Sequence, residues 1–167
     1  DAMAIASVDG AGMPSVRMVL LKEVIPEGFV FYTNYNSRKS GELLTTGKAS
    51  FVMHWKSLRR QVRVCGQVVQ VPPEQSDIYF SSRPRGSRIG AWASDQSKPL
   101  ASRQELQAAV KAAEARYGDD IPRPPHWGGF LIRPDEIEFW ADGDHRLHDR
   151  FRFTHGTDGW DIVRLNP

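Results

Sequence analysis

The sequence predicts a mainly β, α+β fold: an antiparallel barrel or sandwich with a few peripheral helices. Two observations lead there. Between residues 2 and 71 the chain holds five short runs rich in β-branched and aromatic residues, each bounded by turn formers. Against these, one stretch alone, "SRQELQAAVKAAEARYG", keeps apolar residues at helical three-and-four spacing over several turns. At 167 residues the chain has the length of one ordinary domain, able to bury a core without metals or disulfides.

The five runs are "AMAIASV", "SVRMVLL", "GFVFYTN", "ASFVMHW" and "RQVRVCGQVVQV", all expected as strands. Between the third and fourth, Ser37 is placed to cap a short helix that stops near Gly47. "PPEQSDIYFSSR" opens with prolines suited to a first helical turn and reads as a second short helix. The long helix starts at a capping box, Ser102 with Glu105, and ends at Gly118, burying Leu106, Ala109, Val110 and Ala113. After the Pro-rich connector "IPRPPHWGG" come two strands, "GFLIR" and "EIEFW", and then a hairpin, "RFRFT" and "WDIVRL", around "HGTDG".

Composition narrows the function classes. With 22 basic against 20 acidic residues the chain is too balanced to live by coating nucleic acid, and no apolar run reaches the roughly 18 residues of a membrane span. The single cysteine, Cys65, excludes an internal disulfide and Cys-based metal sites, which fits a reducing, cytoplasmic setting. His145 and His148 lack metal-site spacing unless they share a helical turn, so no metal is expected. No serine-hydrolase elbow, dinucleotide fingerprint or phosphate loop occurs.

Four basic clusters with small or hydroxyl neighbours stand out: Arg17 with Lys22, Arg38 with Lys39, Arg83 with Arg85 and Arg88, and Arg146, His148 and Arg150. Guanidinium forks beside Ser and Gly are a common way to grip phosphate. Strand parity puts Arg17, Val19 and Leu21 on one face and Met18, Leu20 and Lys22 on the other. It also puts Gln61 and Arg63 opposite the inward-facing Val62 and Val64. The last cluster lies in "ADGDHRLHDR", which carries three Asp, two His and two Arg but no Lys or Glu.

Seven motifs, "RMVLLK", "FYTN..SRK", "RRQVRV.G", "YF.SRPRGSRIGAWAS.QS", "WGGF", "IEFW" and "RLHDR", follow in this order across nearly the whole chain. In that series the sequence resembles the pyridoxamine (pyridoxine) 5′-phosphate oxidase family. The resemblance implies an FMN-binding split β-barrel, one domain over residues 1–167 that lacks an N-terminal segment, and a homodimer with FMN at the subunit interface. It implies oxidation of pyridoxamine or pyridoxine 5′-phosphate to pyridoxal 5′-phosphate, with hydride passing to flavin N5 and O2 reoxidising the flavin to give H2O2. The implied flavin contacts are Arg17, Met18, Val19, Leu20, Leu21, Lys22, Tyr32, Thr33, Arg38, Lys39, Gln61, Gln96, Ser97, Trp140 and Arg150. The substrate phosphate falls to Lys22, Tyr79, Arg83 and Ser87, and the segment Arg146, Leu147 and His148 covers the pyridine, with Arg146 and His148 as the catalytic pair. Asp149, of opposite parity, is expected to support the loop.

The chain departs from the family at "WAD", Ala141 and Asp142, where the family writes "WQG". Two other readings share the fold: a phenazine-type oxidase, and a non-catalytic module for flavin, pyridoxal phosphate or haem. A substrate without phosphate would not need "SRPRGS" beside "RLH", which argues against the first.

Overall fold

Alternating burial builds the barrel from its first strand, β1 (Ala2–Val8), which sends Met3, Ile5 and Ser7 inward. A turn follows in which the Asp9 carboxylate accepts from the backbone N–H groups of Ala11 and Met13, with Gly12 at positive φ. The chain then returns antiparallel as β2 (Pro14–Ile25). Next come β3 (Gly28–Asn34), helix α1 (Arg38–Thr46), β4 (Lys48–Trp55) and β5 (Arg60–Gln70). Helices α2 (Pro73–Ser82), α3 (Arg85–Ala93) and α4 (Arg103–Tyr117) precede β6 (Trp127–Ala141), and β7 (Asp149–Gly156) and β8 (Gly159–Leu165) close the chain. The computed structural model describes residues 1–167. These fall into two compact units.

The first unit comprises Asp1–Phe31, Glu42–Val69 and Leu131–Pro167. Its sheet runs β3-β2-β1-β4-β5-β6-β7-β8, and β3 also pairs with β6, closing six strands into a barrel from which the β7–β8 hairpin extends. Met3, Ile5, Val30, Phe31, Leu43, Phe51, Val64 and Ile132 fill it, all nearly inaccessible to solvent. "GFLIR" and "EIEFW" are one strand rather than two, because Pro134 does not break the run. Where β6 reaches Ile132–Pro134 its neighbours carry glycine. A Cβ on Gly28 would stand 2.0 Å from the Ile132 carbonyl oxygen, and one on Gly66 2.0 Å from that of Arg133. The missing side chains let three backbones crowd around the proline, so β6 passes straight through.

The second unit comprises Tyr32–Gly41 and Gln70–Phe130. Its core is Phe80, Ile89, Ala113, Ile121 and Trp127, with Tyr32, Tyr79, Trp92, Val110 and Tyr117 packed around it. The α4 capping box forms in part: Ser102 Oγ accepts from Glu105 N–H at 3.1 Å, while the Glu105 carboxylate reaches Ala101 N–H instead of that of Ser102. Helix α3 was not expected, since "RGSRIGAWA" reads locally as a basic, glycine-containing loop. Burial of Ile89 outweighs the two glycines.

Gly66→Ala is expected to destabilise the fold by at least about 2 kcal/mol, since backbone rather than a flexible side chain must yield. Gly10→Ala, which meets open space, is expected to change stability by less than about 0.5 kcal/mol. Urea midpoints of the two variants check this.

Candidate active site

Strand parity holds on β2 as far as Leu21: Arg17, Val19 and Leu21 are half-buried while Met18 and Leu20 stand exposed. A bulge then intervenes, since Leu21 pairs with Phe31 but Glu23 with Val30, leaving Lys22 as the extra residue. Its ammonium lies 3.0 Å from the Asp1 carboxylate. Arg17 is engaged inside the barrel unit, donating to Ser7 Oγ at 2.5 Å and to the buried Glu42 carboxylate at 3.2 Å. Glu42 also accepts from the Ser7 and Ser15 hydroxyls.

In the same unit Trp55, Leu58, Gln61, Val62, Phe139, Trp140 and Ala141 line a largely apolar cavity of about 540 Å³. Two expected flavin contacts, Gln61 and Trp140, thus meet on one wall. Ala141, which replaces the family's amide, adds a methyl to it. Behind the wall the buried carboxylate of Glu138 accepts from Arg150 through both oxygens, at 2.8 and 3.1 Å, and from Arg63 at 2.5 Å. The Arg150 hydrogen bond holds Glu138 below the usual carboxylate range; burial opposes that shift, and the charges of Arg63, Arg150 and Arg152 add to it. Arg150, expected at the flavin, spends its guanidinium on Glu138 and the Asn166 carbonyl.

The charged loop after Trp140 is folded tightly. A Cβ on Gly143 would meet the Leu147 carbonyl oxygen at 2.2 Å, and His145 and Arg146 take positive φ in a short 3-10 turn. Arg146 and Leu147 are exposed. His148 is half-buried, its ring 4.6 Å from that of Trp140 and its Nδ1 3.0 Å from an Asp142 carboxylate oxygen. Asp149 pairs with Arg164, a contact within the hairpin.

The second unit gathers another set. Lys39, buried in the first turn of α1, donates to Gln96 Oε1 at 2.6 Å and to Ser37 Oγ at 3.0 Å, and Thr33 Oγ1 lies 3.5 Å from the same amide oxygen. Arg38 beside it is exposed, and Ser97 takes positive φ. Tyr32 and Tyr79 stack at 4.0 Å, with Trp127 parallel to Tyr32 at 5.6 Å. The Arg83 guanidinium sits over Trp127 at 4.6 Å, and its Nη1 is buried with no hydrogen-bond partner. Burial pushes its pKa down. Ser87 is exposed on the first turn of α3, whereas Arg85 turns away to the Gly118 carbonyl.

Of the residues expected from the sequence, the structure places Lys39, Gln96, Tyr79 and Arg83 in one unit and Gln61, Trp140 and His148 in the other. Glu138 was not among the expected residues, and Asp142 entered only as a departure from the family pattern. A signal for Glu138 was present in the run it sits in: between Ile137 and Phe139, a carboxylate that is buried requires cations beside it.

Among solved structures, a pyridoxamine 5′-phosphate oxidase-related, FMN-binding protein from Nostoc punctiforme superposes with a TM-score of 0.80 at 14% identity, covering 99% of this chain and 88% of its own. The fold is therefore the split β-barrel expected. PhzG from Burkholderia lata, solved with tetrahydrophenazine-1-carboxylic acid, reaches a TM-score of 0.94 at 32% identity, covering 99% of this chain and 82% of its own. Residues 1–140 match the family model described as pyridoxamine 5′-phosphate oxidase, and residues 127–167 that of the pyridoxine 5′-phosphate oxidase C-terminal dimerisation region. Proteins named pyridoxine/pyridoxamine 5′-phosphate oxidase from Cereibacter sphaeroides and Roseobacter denitrificans are 61% and 57% identical, each covering 100% of this chain and 84% of its own length. The chain belongs to the pyridoxamine 5′-phosphate oxidase family, a family of oxidoreductases.

Glu138→Gln is expected to cost about 2–4 kcal/mol at neutral pH, because two guanidinium groups lose their buried anion. A carboxyl depressed in the folded state contributes stability that is complete above its unfolded value, about 4.3, and that is lost as pH falls through the folded one. The gap between wild type and variant should therefore narrow on acidification, as urea titrations at pH 7 and below pH 4 would show.

Proposed function

We propose that this protein is an FMN-dependent oxidase that converts pyridoxamine 5′-phosphate, pyridoxine 5′-phosphate, or both, to pyridoxal 5′-phosphate. The observation that carries this reading is Arg83, a half-buried cation with one buried, unpartnered nitrogen beside an aromatic stack. Such a group lacks an anion, and a phosphate ester of a flat ring supplies one. Tyr79 is in the same stack. Ser87 and Lys22 complete the phosphate set implied by the family.

The residues present suit FMN. Lys39 and Arg38 open α1, where a helix N-terminus and two cations favour a phosphate, and Thr33 and Ser37 bring hydroxyls. The apolar cavity with Gln61 and Trp140 suits a flat ring that carries polar edges. Bound FMN would supply the two-electron acceptor for the C–H bond at C4′ and would return those electrons to O2 as H2O2. The protein's part is to hold the substrate ring in reach, to bind its phosphate far from the reacting carbon, and to cover the site with Arg146 and His148.

The functional unit in this reading is a homodimer that shares its flavin contacts between copies. Val16, Met18 and Leu20 on β2 and Ile162 and Val163 on β8 are exposed, and β8 lies in the stretch that matches the dimerisation region. The likeness to PhzG keeps a phenazine-type substrate as the competing reading. The Arg83 cluster and the 57–61% identical relatives favour the phosphorylated pyridine.

The test is a visible spectrum of the purified protein, repeated without air after pyridoxamine 5′-phosphate is added. Flavin bands that bleach with substrate and return with oxygen are expected; bands that stay unbleached with this substrate and with pyridoxine 5′-phosphate would overturn the reading. Arg146→Ala should lower turnover by one to several orders of magnitude and keep the flavin bands, because this side chain serves the substrate.

A further inference from the structure

On the paired strands β6 and β7, Trp140 stands opposite Arg150 and Glu138 opposite Arg152, so these four side chains share one face of the hairpin. Arg150 Nε and Nη2 donate to the two oxygens of Glu138 at 2.8 and 3.1 Å, and Nη1 donates to the Asn166 carbonyl at 3.0 Å. Those bonds leave one N–H unused on each terminal nitrogen of the fork. From β5, Arg63 donates to the same carboxylate at 2.5 Å, and Arg152 Nε lies 3.9 Å from Glu136. Glu138 is buried, whereas Arg63, Arg150 and Arg152 all keep some access to solvent. One buried anion thus fixes a guanidinium beside Trp140 and stands against the positive charge gathered there.

We propose that Glu138 is a positioning residue for Arg150 and that its negative charge lowers the reduction potential of the bound flavin. The proposal rests on the reading that FMN lies against Trp140 and Arg150. Guanidinium groups beside the ring favour its reduced form, because reduction adds negative charge to the ring system. A carboxylate among them opposes that field, and burial makes its charge count for more than it would in water. Held at both oxygens of Glu138, the Arg150 fork can hydrogen-bond the ring through its unused N–H groups without presenting its whole charge. A flavin in such surroundings stays a stronger reductant, which suits a cycle that ends by passing electrons to O2.

A merely structural role for Glu138, as a tie between strands, makes different predictions. The experiment is the reduction potential of the FMN-loaded protein, measured without air against a reference dye at neutral pH. Glu138→Gln, which removes the anion, should shift the potential upward, and Arg63→Gln, which removes a cation from the same cluster, should shift it downward. Glu138→Asp keeps the charge on a shorter arm and should stay near the wild-type potential. Potentials that do not move, or that move in the same direction in Glu138→Gln and Arg63→Gln, overturn the proposal. Arg63 is the more exposed partner, so Arg63→Gln carries the test alone if Glu138→Gln fails to fold, and an unmoved potential in it is then decisive against the proposal.

Flavin affinity supplies the second arm. Glu138→Asp should weaken FMN binding about tenfold, as for other partners that orient a ligand-holding side chain, although its potential is kept. The double variant Glu138→Asp/Arg150→Ala should bind FMN no more weakly than Arg150→Ala, because the two side chains act as one unit. Affinity losses that multiply would overturn the positioning role. A wild-type protein that takes up no FMN would overturn the functional reading and this inference with it, whereas FMN that binds normally with unmoved potentials overturns this inference alone.

Discussion

The barrel depends on the close approach of three backbones at Gly28, Ile132–Pro134 and Gly66. Six strands close only if β6 lies against β3 on one side and β5 on the other, and at this point there is no room for a Cβ on either neighbour. Closure removes the sheet edges that would otherwise seek partners. It also sets the direction in which β6 continues toward Glu138, Trp140 and Asp142. The polar wall, the apolar cavity and the charged loop are therefore consequences of one strand's path. A side chain at Gly66 would disturb them together.

Two buried carboxylates of the barrel unit are paired, although Arg152 Nε there has no hydrogen-bond partner, and in the other unit a nitrogen of Arg83 is left without one. Glu42 with Arg17, and Glu138 with Arg63 and Arg150, each place a carboxylate among cations and hydroxyls, so desolvation is repaid by several hydrogen bonds. Arg83 has aromatic faces but no carboxylate, and a buried nitrogen without a partner. Protein interiors rarely leave a buried polar atom without a partner. Arg88 Nε is left in the same state, and nothing in the structure explains it.

Much of this was legible in the sequence, for reasons that differ by element. The strands β1, β2 and β4 alternate because one face of each is more buried than the other, and period two is a signal a short window can carry. The α4 helix announced itself by its cap and its stop. What failed were features settled by distant partners. Pro134 reads as a break until Gly28 and Gly66 are brought beside it, and α3 reads as a loop until Ile89 finds its core. Parity on β2 was right up to Lys22, where a bulge that no local residue requires shifts the pattern. The site motifs were readable as a series. That Arg150 answers to Glu138, and His148 to Asp142, needed the fold.

The distinction between a phosphorylated pyridine and a carboxylated polycycle then turns on electrostatics. Burial weighs against the charged form of the half-buried Arg83, and a bound anion would offset that. A phosphate dianion offers three oxygens and up to two charges, and a carboxylate offers two oxygens and one. A ring that carries its anion on a flexible ester arm can also reach a cation set beside an aromatic stack while its reacting carbon lies elsewhere. A carboxylate fixed to a rigid polycycle holds the two at one set distance. In the proposed reading, Arg83 therefore suits the phosphate ester in charge and in reach.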